Sequence, residues 1–273
     1  MGLRADRRQT SLAAATLDKM PEPSVRPHVV IIGGLLFEPR AYRTMRERLL
    51  GSGAARVTIA PIHLPDWAAM GLAGMGPLLL RGARTIREVR RAAPDPVIVI
   101  GHSIGGVIAR LAMSPEALDG RCAAVADDVG CLITLGSPHR FEPAIPWRHP
   151  GVRATEHLAR VTPGAFFAPE TGYLTVGSTL ARPEEWASTR SAIQALYRVM
   201  GPFVGATPGI SGDGLVGTDF CQLQGAIHIE YPDVTHGFFD HPWYGDAEIV
   251  DRWWPAAVEQ WQDALAARAA ARH

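Results

Sequence analysis

The segment GHSIGG at residues 101–106 places Ser103 two residues from a glycine on each side, between an apolar run and a helix-like stretch. This G-x-S-x-G pattern is typical of a serine nucleophile on a sharp strand-to-helix turn, where side chains two positions away would crowd the backbone. The hydroxyl is then exposed at the N-terminus of a helix, whose dipole favours a developing oxyanion. The alternative is a glycine-rich turn with an incidental serine, and the flanking strand and helix patterns favour the nucleophile.

A serine nucleophile needs a general base, and His236 is the predicted one. It stands in VTHGFF at 234–239, after the last strand-like run and before the last helix-like stretch. His241, five residues further on, is its nearest rival. Three other histidines are expected to serve the structure, in the serine turn, a later turn and a strand: His102, His139 and His228.

The base in turn needs a carboxylate to orient it, and Asp213 in SGDGLV at 211–216 is the predicted one. Its glycine neighbours allow a local turn to present the carboxylate, and serine, acid, base is an order along the chain that such sites use. A solvated Asp-Gly turn is the alternative role, and Asp233 is the competing acid. The prediction requires Asp213 within hydrogen-bond reach of His236, and His236 within reach of Ser103.

An acyl-transfer site also needs two backbone N–H groups aimed at the oxyanion. One is expected from Ile104, which follows the nucleophile. The other is expected from GGLL at 33–36, the loop after the first strand-like run. Leu35 is the predicted donor, with Leu36 as the alternative after a shift of one residue. The alternative role of this loop is simply to end a strand.

These residues need a scaffold that brings distant segments together, and the chain alternates strand-like and helix-like stretches from His28 onward. The predicted strands are His28–Ile32, Arg56–Ile62, Pro96–Ile100, Cys131–Leu135, Gly172–Val176 and Ala226–Tyr231. Apolar residues at helical spacing lie between them, and Trp254, Val258, Trp261 and Leu265 mark a final helix. The alternation predicts an α/β fold with a mostly parallel sheet and helices on both faces. Reactive groups are expected at the carboxyl ends of its strands.

The amino-acid composition argues against several classes of protein. The chain has 273 residues, 47% hydrophobic and 20% charged, with 27 basic and 27 acidic side chains. The balanced charge argues against a strongly basic nucleic-acid binder. No uncharged run reaches the roughly 20 apolar residues of a membrane span. Three cysteines, an odd number, do not make a disulfide scaffold.

Two regions are expected along the chain: a flexible N-terminal segment at 1–27 and a single domain at 28–273. The N-terminal segment has no proper apolar core of a secretory signal, so a cytoplasmic location is expected.

From about His28 to Trp254 the chain resembles lipases and esterases of the α/β-hydrolase fold. The matching motifs are the loop at 33–34, GHSIGG at 101–106, LGSPH at 135–139, GDGLVG at 212–217 and VTHGFF at 234–239. The layout as far as HPWYG at 241–245 is also similar to uncharacterised plant and cyanobacterial hydrolases. One departure is Gly33, where related enzymes usually have histidine.

The resemblance implies an α/β-hydrolase fold with a small cap region, and a serine carboxylic-ester hydrolase that forms an acyl-enzyme. Ser103, His236 and Asp213 would act as nucleophile, base and orienting acid. The Leu35 and Ile104 N–H groups would hold the oxyanion. No cofactor and no catalytic metal are expected, since no H-E-x-x-H or Cys/His cluster is present.

A small-molecule ester or lipid with an apolar acyl group is the expected substrate. Leu36 and Trp67 are the predicted substrate-binding residues. The segments 64–80 and 141–168, which carry Trp67 and Trp147, could form the cap, and membership of the core is the equal alternative. A thioesterase or acyltransferase would use the same triad. A non-catalytic binding module is the alternative from another class, and the presence of all three candidate residues argues against it.

Overall fold

A central six-stranded sheet organises the computed structural model, which describes residues 25–141, 149–180, 211–237 and 242–272. All neighbouring strands are parallel, in the order β2-β1-β3-β4-β5-β6. The strands are β1 His28–Ile32, β2 Arg56–Ile59, β3 Val97–His102, β4 Val129–Leu135, β5 Gly172–Ser178 and β6 Ile227–Tyr231. The predicted parallel sheet and its six strands are confirmed.

The bounds of every strand except β1 differ from the prediction by one to three residues: β4 begins at Val129 and β6 at Ile227, β5 ends at Ser178, and β2 and β3 differ as follows. β2 ends at Ile59 instead of Ile62, and Pro61, which has no N–H to donate, stands two residues later. β3 continues past Ile100 to His102, because the residues up to the serine turn stay in register with β4. β3 therefore ends at the residue directly before Ser103.

Helices cover both faces of the sheet. They are α1 Arg43–Gly51, α2 Leu64–Ala73, α3 Gly76–Ala92, α4 Ile104–Met113, α5 Pro150–Val161, α6 Thr218–Cys221 and α7 Ala247–Ala270. Alternate residues of β1 enter different apolar clusters, as strand geometry requires. Val30 and Ile32 pack with α3 and α4, whereas Val29 and Ile31 pack with α1 and α7. The predicted two-sided arrangement is confirmed.

The segments proposed for a cap are partly helical. The stretch 64–80 forms α2 and the beginning of α3, and only Trp67 of α2 is buried. The stretch 141–168 includes α5, while Trp147 lies outside the described residues. Most of the expected flexible segment at 1–27 also lies outside them.

The three cysteines are free thiols, with Cys122 exposed and Cys131 and Cys221 buried. Within the described ranges, every helix is either too short or too polar to cross a bilayer.

The amino ends of the central strands are tied to α7 through one tryptophan. Trp261 is 2% exposed, and its indole N–H donates to the Pro96 carbonyl at 2.7 Å. Its ring lies against Gly130, where a built Cβ would stand 2.7 Å from the indole. A side chain at position 130 would therefore displace the helix from the sheet.

We expect Trp261→Ala to lower the free energy of unfolding by about 3–5 kcal/mol, because it empties a filled site and leaves a carbonyl unpaired. Gln262→Ala, one residue along and exposed, should change it by less than about 0.5 kcal/mol. Denaturant unfolding of both variants checks this. A Trp261→Ala protein as stable as the control would contradict the assigned role.

Candidate active site

Ser103 lies on a strained turn between β3 and α4, with φ 54° and ψ −133°. Backbone in such a region costs of order 1–3 kcal/mol and persists only where its surroundings enforce it. The flanking glycines show why: a Cβ on Gly101 would stand 2.4 Å from Gly106 Cα, and one on Gly105 would stand 2.2 Å from the Ile32 carbonyl oxygen. The spacing of glycines in GHSIGG is thus set by backbone contacts on both sides of the serine.

The serine side chain is more covered than the sequence predicts. Ser103 is 8% exposed, because the loop after β1 lies against it: a Cβ on Gly34 would stand 2.7 Å from the Ser103 Cβ. The Ser103 N–H donates to the Leu135 carbonyl at 2.8 Å, which fixes the turn to the end of β4.

Ser103, His236 and Asp213 are hydrogen-bonded in series. His236 Nε2 is 3.0 Å from Ser103 Oγ, and His236 Nδ1 is 2.8 Å from Asp213 Oδ2. Both the base and the acid are 1% exposed. Because a carboxylate can only accept, Nδ1 carries the imidazole proton, which leaves Nε2 free to accept the serine proton. The arrangement is that of a nucleophile with its oriented base.

The buried Asp213 carboxylate accepts four hydrogen bonds. Oδ1 accepts from the Leu215 and Val216 N–H groups at 3.0 and 2.8 Å. Oδ2 accepts from His236 and from the Tyr244 hydroxyl, the latter at 2.9 Å. Burial alone would raise the pKa of Asp213, but His236 and the backbone N–H groups outweigh it and the pKa is lowered. The acid is held ionised in an apolar interior.

Two residues of this site were missed from the sequence as functional candidates. Tyr244 donates to the carboxylate, and Gly136, at φ 54°, leaves room for it: a Cβ there would stand 2.5 Å from Asp213 Oδ2. Both belong to motifs noted for resemblance, LGSPH and HPWYG. A tyrosine shortly after the base and a glycine directly after a strand were the available signals.

The loop after β1 brings Gly34 against Ser103, and Leu35 is the next residue. The Gly34 N–H is occupied, since it donates to the Tyr42 hydroxyl at 2.8 Å. In the described part of the chain the Leu35 N–H has no acceptor, and the Ile104 N–H, at the first position of α4, has no partner within its helix. Leu36, the predicted alternative donor and substrate-binding residue, is half exposed and has φ 64°.

His102 is fully buried between the loop after β1 and the base. Its Nε2 is 2.9 Å from the His236 carbonyl oxygen, and its Nδ1 is 2.9 Å from the Tyr42 hydroxyl. Burial lowers the pKa of His102 to about 3, helped by the nearby His236. The ring is therefore neutral and cannot compete as the base.

The remaining candidates lie elsewhere. Asp233, the competing acid, pairs with Arg252 at 2.8 Å on the surface. His139 hydrogen-bonds Thr134 and His228 hydrogen-bonds Thr175, at 3.1 and 2.6 Å. His241 lies outside the described residues.

Trp67 is 3% exposed and belongs to the same apolar cluster as Ile104. It is therefore an interior residue, and its contact with substrate stays a prediction.

The neutral state of His102 predicts a pH dependence of stability. The ordinary histidine pKa of about 6.5 applies to the unfolded chain, so between pH 6.5 and 3 the unfolded chain binds the extra proton and folding weakens as the pH falls. From pH 6.5 to 5, the unfolding free energy of the wild type should fall by about 2 kcal/mol more than that of His102→Gln. Denaturant titrations at the two pH values measure this, and parallel losses in both proteins would contradict a neutral, buried His102.

Comparison with known proteins agrees with this fold. A family model described as the PGAP1-like alpha/beta domain matches residues 79–153, the stretch from α3 through the serine turn to the start of α5. No curated protein sequence matches the chain.

Among solved structures, the mature form of the lipase BlEst2 from Bacillus licheniformis is similar over 87% of this chain and 94% of its own, with 16% identity and a TM-score of 0.59. The propeptide form of that lipase is similar over 87% of this chain and 51% of its own, with 17% identity and a TM-score of 0.53. The chain therefore has the α/β-hydrolase fold, and within that fold it is similar to lipases and esterases.

Proposed function

We propose that this protein is a serine carboxylic-ester hydrolase that acts through an acyl-enzyme. The observation that carries the proposal is the unbroken series of hydrogen bonds from Asp213 through His236 to Ser103, at 2.8 and 3.0 Å. A strained serine at a helix N-terminus with an oriented imidazole beside it is the arrangement that acyl transfer needs. The likeness to lipases supports ester hydrolysis as the reaction class.

In this mechanism Ser103 Oγ attacks the ester carbonyl carbon while its proton passes to His236 Nε2. The ionised Asp213 stabilises the imidazolium that forms. His236 then gives the proton to the leaving alcohol, and the acyl group remains on Ser103. A water molecule, deprotonated by His236, attacks the acyl-enzyme and releases the carboxylic acid, which restores the serine hydroxyl. The steps need no cofactor.

Two backbone donors would hold the oxyanion. The Leu35 and Ile104 N–H groups are the proposed pair, since the Gly34 N–H already donates to Tyr42. Donors fixed before the reaction do not need to reorganise as charge develops, which is why one such donor is worth about 10²–10³ in kcat. The helix dipole of α4 adds to this field at Ile104.

The proposed substrate is a small-molecule ester with an apolar acyl group. Leu36 lies half exposed at the end of the oxyanion loop, and Trp67 is buried in the apolar cluster that also holds Ile104. In the proposal these two apolar side chains line the acyl site, which suits an acyl chain better than a charged group.

The triad is tested with Ser103→Ala and Asp213→Asn on a short-to-long series of chromogenic acyl esters. Ser103→Ala removes the nucleophile, and Asp213→Asn favours the wrong imidazole tautomer, so each should lower kcat by about 10⁴-fold or more. Wild-type Ser103 should also be labelled by a fluorophosphonate, and the alanine variant should not.

Asp233→Asn is the matched control, because it alters the competing acid at a surface ion pair. It should leave kcat within about twofold of the wild type, as surface substitutions usually do. A wild type that hydrolyses no ester and resists the fluorophosphonate would contradict the proposal and favour a non-catalytic binding module.

The proposed acyl site is tested with Trp67→Ala. Removal of the indole should enlarge the apolar space and move the preferred acyl chain towards greater length, with kcat/KM for the longest esters rising relative to the shortest by about tenfold. Leu72→Ala, on the same helix but 98% exposed, should keep the wild-type order. An unchanged chain-length profile in a folded Trp67→Ala protein would place this residue in the core alone.

A further inference from the structure

Three buried hydrogen bonds connect the oxyanion loop with the catalytic base. The Gly34 N–H is 2.8 Å from the Tyr42 hydroxyl oxygen, and this hydroxyl is 2.9 Å from His102 Nδ1. His102 Nε2 is in turn 2.9 Å from the His236 carbonyl oxygen. Tyr42 and His102 are both 0% exposed, so water does not compete for these bonds. We call this series the Tyr42–His102 relay.

The proton positions in the relay follow from the chemistry of its ends. A carbonyl oxygen can only accept a hydrogen bond, so His102 Nε2 carries the ring proton and donates a hydrogen bond to the His236 carbonyl oxygen. The neutral Nδ1 is then an acceptor, and the Tyr42 hydroxyl must donate to it. The hydroxyl oxygen is left to accept from the Gly34 N–H. Each group has a partner in the only consistent direction, as a buried polar network requires.

Aromatic rings hold the middle of the relay in place. The Phe37 ring meets His102 edge-on at 4.9 Å between centroids, and the Trp243 ring does so at 5.6 Å. The imidazole therefore has packing on its faces and edges as well as hydrogen bonds at both nitrogens. Because the imidazole cannot move, it fixes the position of the Tyr42 hydroxyl relative to the His236 carbonyl.

The relay also explains an unusual residue in the oxyanion loop. Gly33 stands where related enzymes usually have histidine, and a Cβ there would be 2.8 Å from Tyr42 Cε2. The Tyr42 ring occupies the space that a side chain at position 33 would need. The position of the Tyr42 ring therefore requires glycine at position 33, and the tyrosine in turn fixes this loop.

We propose that Tyr42 and His102 are positioning residues, which hold the Gly34–Leu35 peptide and the His236 backbone at a fixed separation across Ser103. The proposal rests on the proposed ester hydrolysis and adds to it. Ser103 must meet a base on one side and an oxyanion donor on the other. Those two groups come from chain segments about 200 residues apart, on loops after β1 and β6. The relay passes directly between them, through the residue that precedes the nucleophile.

The decisive variant is Tyr42→Phe, which removes only the hydroxyl. The Gly34 N–H then loses its acceptor, and the Leu35 N–H loses its fixed direction. We expect kcat to fall by about tenfold with KM within twofold, since the oxyanion donor acts in the transition state. The affinity for an alkylboronic acid, which forms a tetrahedral adduct on the serine, should fall by a similar factor.

Tyr231→Phe is the matched control. The Tyr231 hydroxyl is buried but has no hydrogen-bond partner among the described residues, so its removal changes no relay of this kind. We expect kcat, KM and boronic acid affinity within twofold of the wild type.

Two substitutions of His102 each keep one of its two hydrogen bonds and remove the other. The His102→Gln amide can still donate to the His236 carbonyl, whereas the His102→Asn oxygen can still accept from Tyr42. On the His102→Asn background the hydroxyl is still oriented towards Gly34, so adding Tyr42→Phe should cost about tenfold in kcat; on His102→Gln the hydroxyl has already lost the acceptor that orients it, so the added cost should be less than threefold.

If Tyr42→Phe fails to fold, the single variants decide the matter. His102→Gln loses the bond to Tyr42 and His102→Asn loses the bond to His236, so kcat and boronic acid affinity should fall about tenfold in each. Wild-type values in both would overturn the relay.

A Tyr42→Phe protein with wild-type kcat and boronic acid affinity would overturn the relay while leaving the ester hydrolase intact. Equal losses from Tyr42→Phe on both His102 backgrounds would also overturn it. A wild type without esterase activity and without fluorophosphonate labelling would instead contradict the proposed function, and the relay as a catalytic device with it.

Discussion

The close approach of β1 and β3 at their carboxyl ends is the constraint on which the site depends. Gly105 lies directly against the Ile32 carbonyl, and Gly34 lies against Ser103, in both cases with no space for a Cβ. Any side chain at either position would separate Ser103 from the loop after β1. Neighbouring parallel strands bring these loops together, and glycine lets the two backbones touch. The geometry of the serine is therefore a property of two strands and not of one turn.

The buried charge of Asp213 imposes a second constraint, because removing a carboxylate from water costs free energy. An unpaired carboxylate in this interior would be strongly unfavourable, and four hydrogen bonds offset the loss of water. Two of the donors are local backbone groups of the 212–217 turn, and the other two come from the base and from Tyr244. The acid, its turn and the C-terminal loops thus order one another.

The sequence predicts the sheet and the triad because both have local signatures. Apolar runs mark buried strands, and glycine spacing marks Ser103. Tyr42 and Tyr244 were not predicted, since their roles arise from contacts with residues 60 and 31 positions away in the chain. No local pattern encodes such contacts. The coverage of Ser103 was missed for the same reason, because it comes from a loop on another strand.

Trp261 ties α7 to Pro96 and Gly130, which lie at the amino ends of β3 and β4. The reacting groups lie at the opposite ends of the same strands. The contacts that stabilise the packing of α7 and the residues of the candidate site therefore lie at opposite edges of one sheet, about the length of a strand apart. Substitutions in the loops at the carboxyl edge can therefore change the site without altering the contacts that hold α7 at the amino edge.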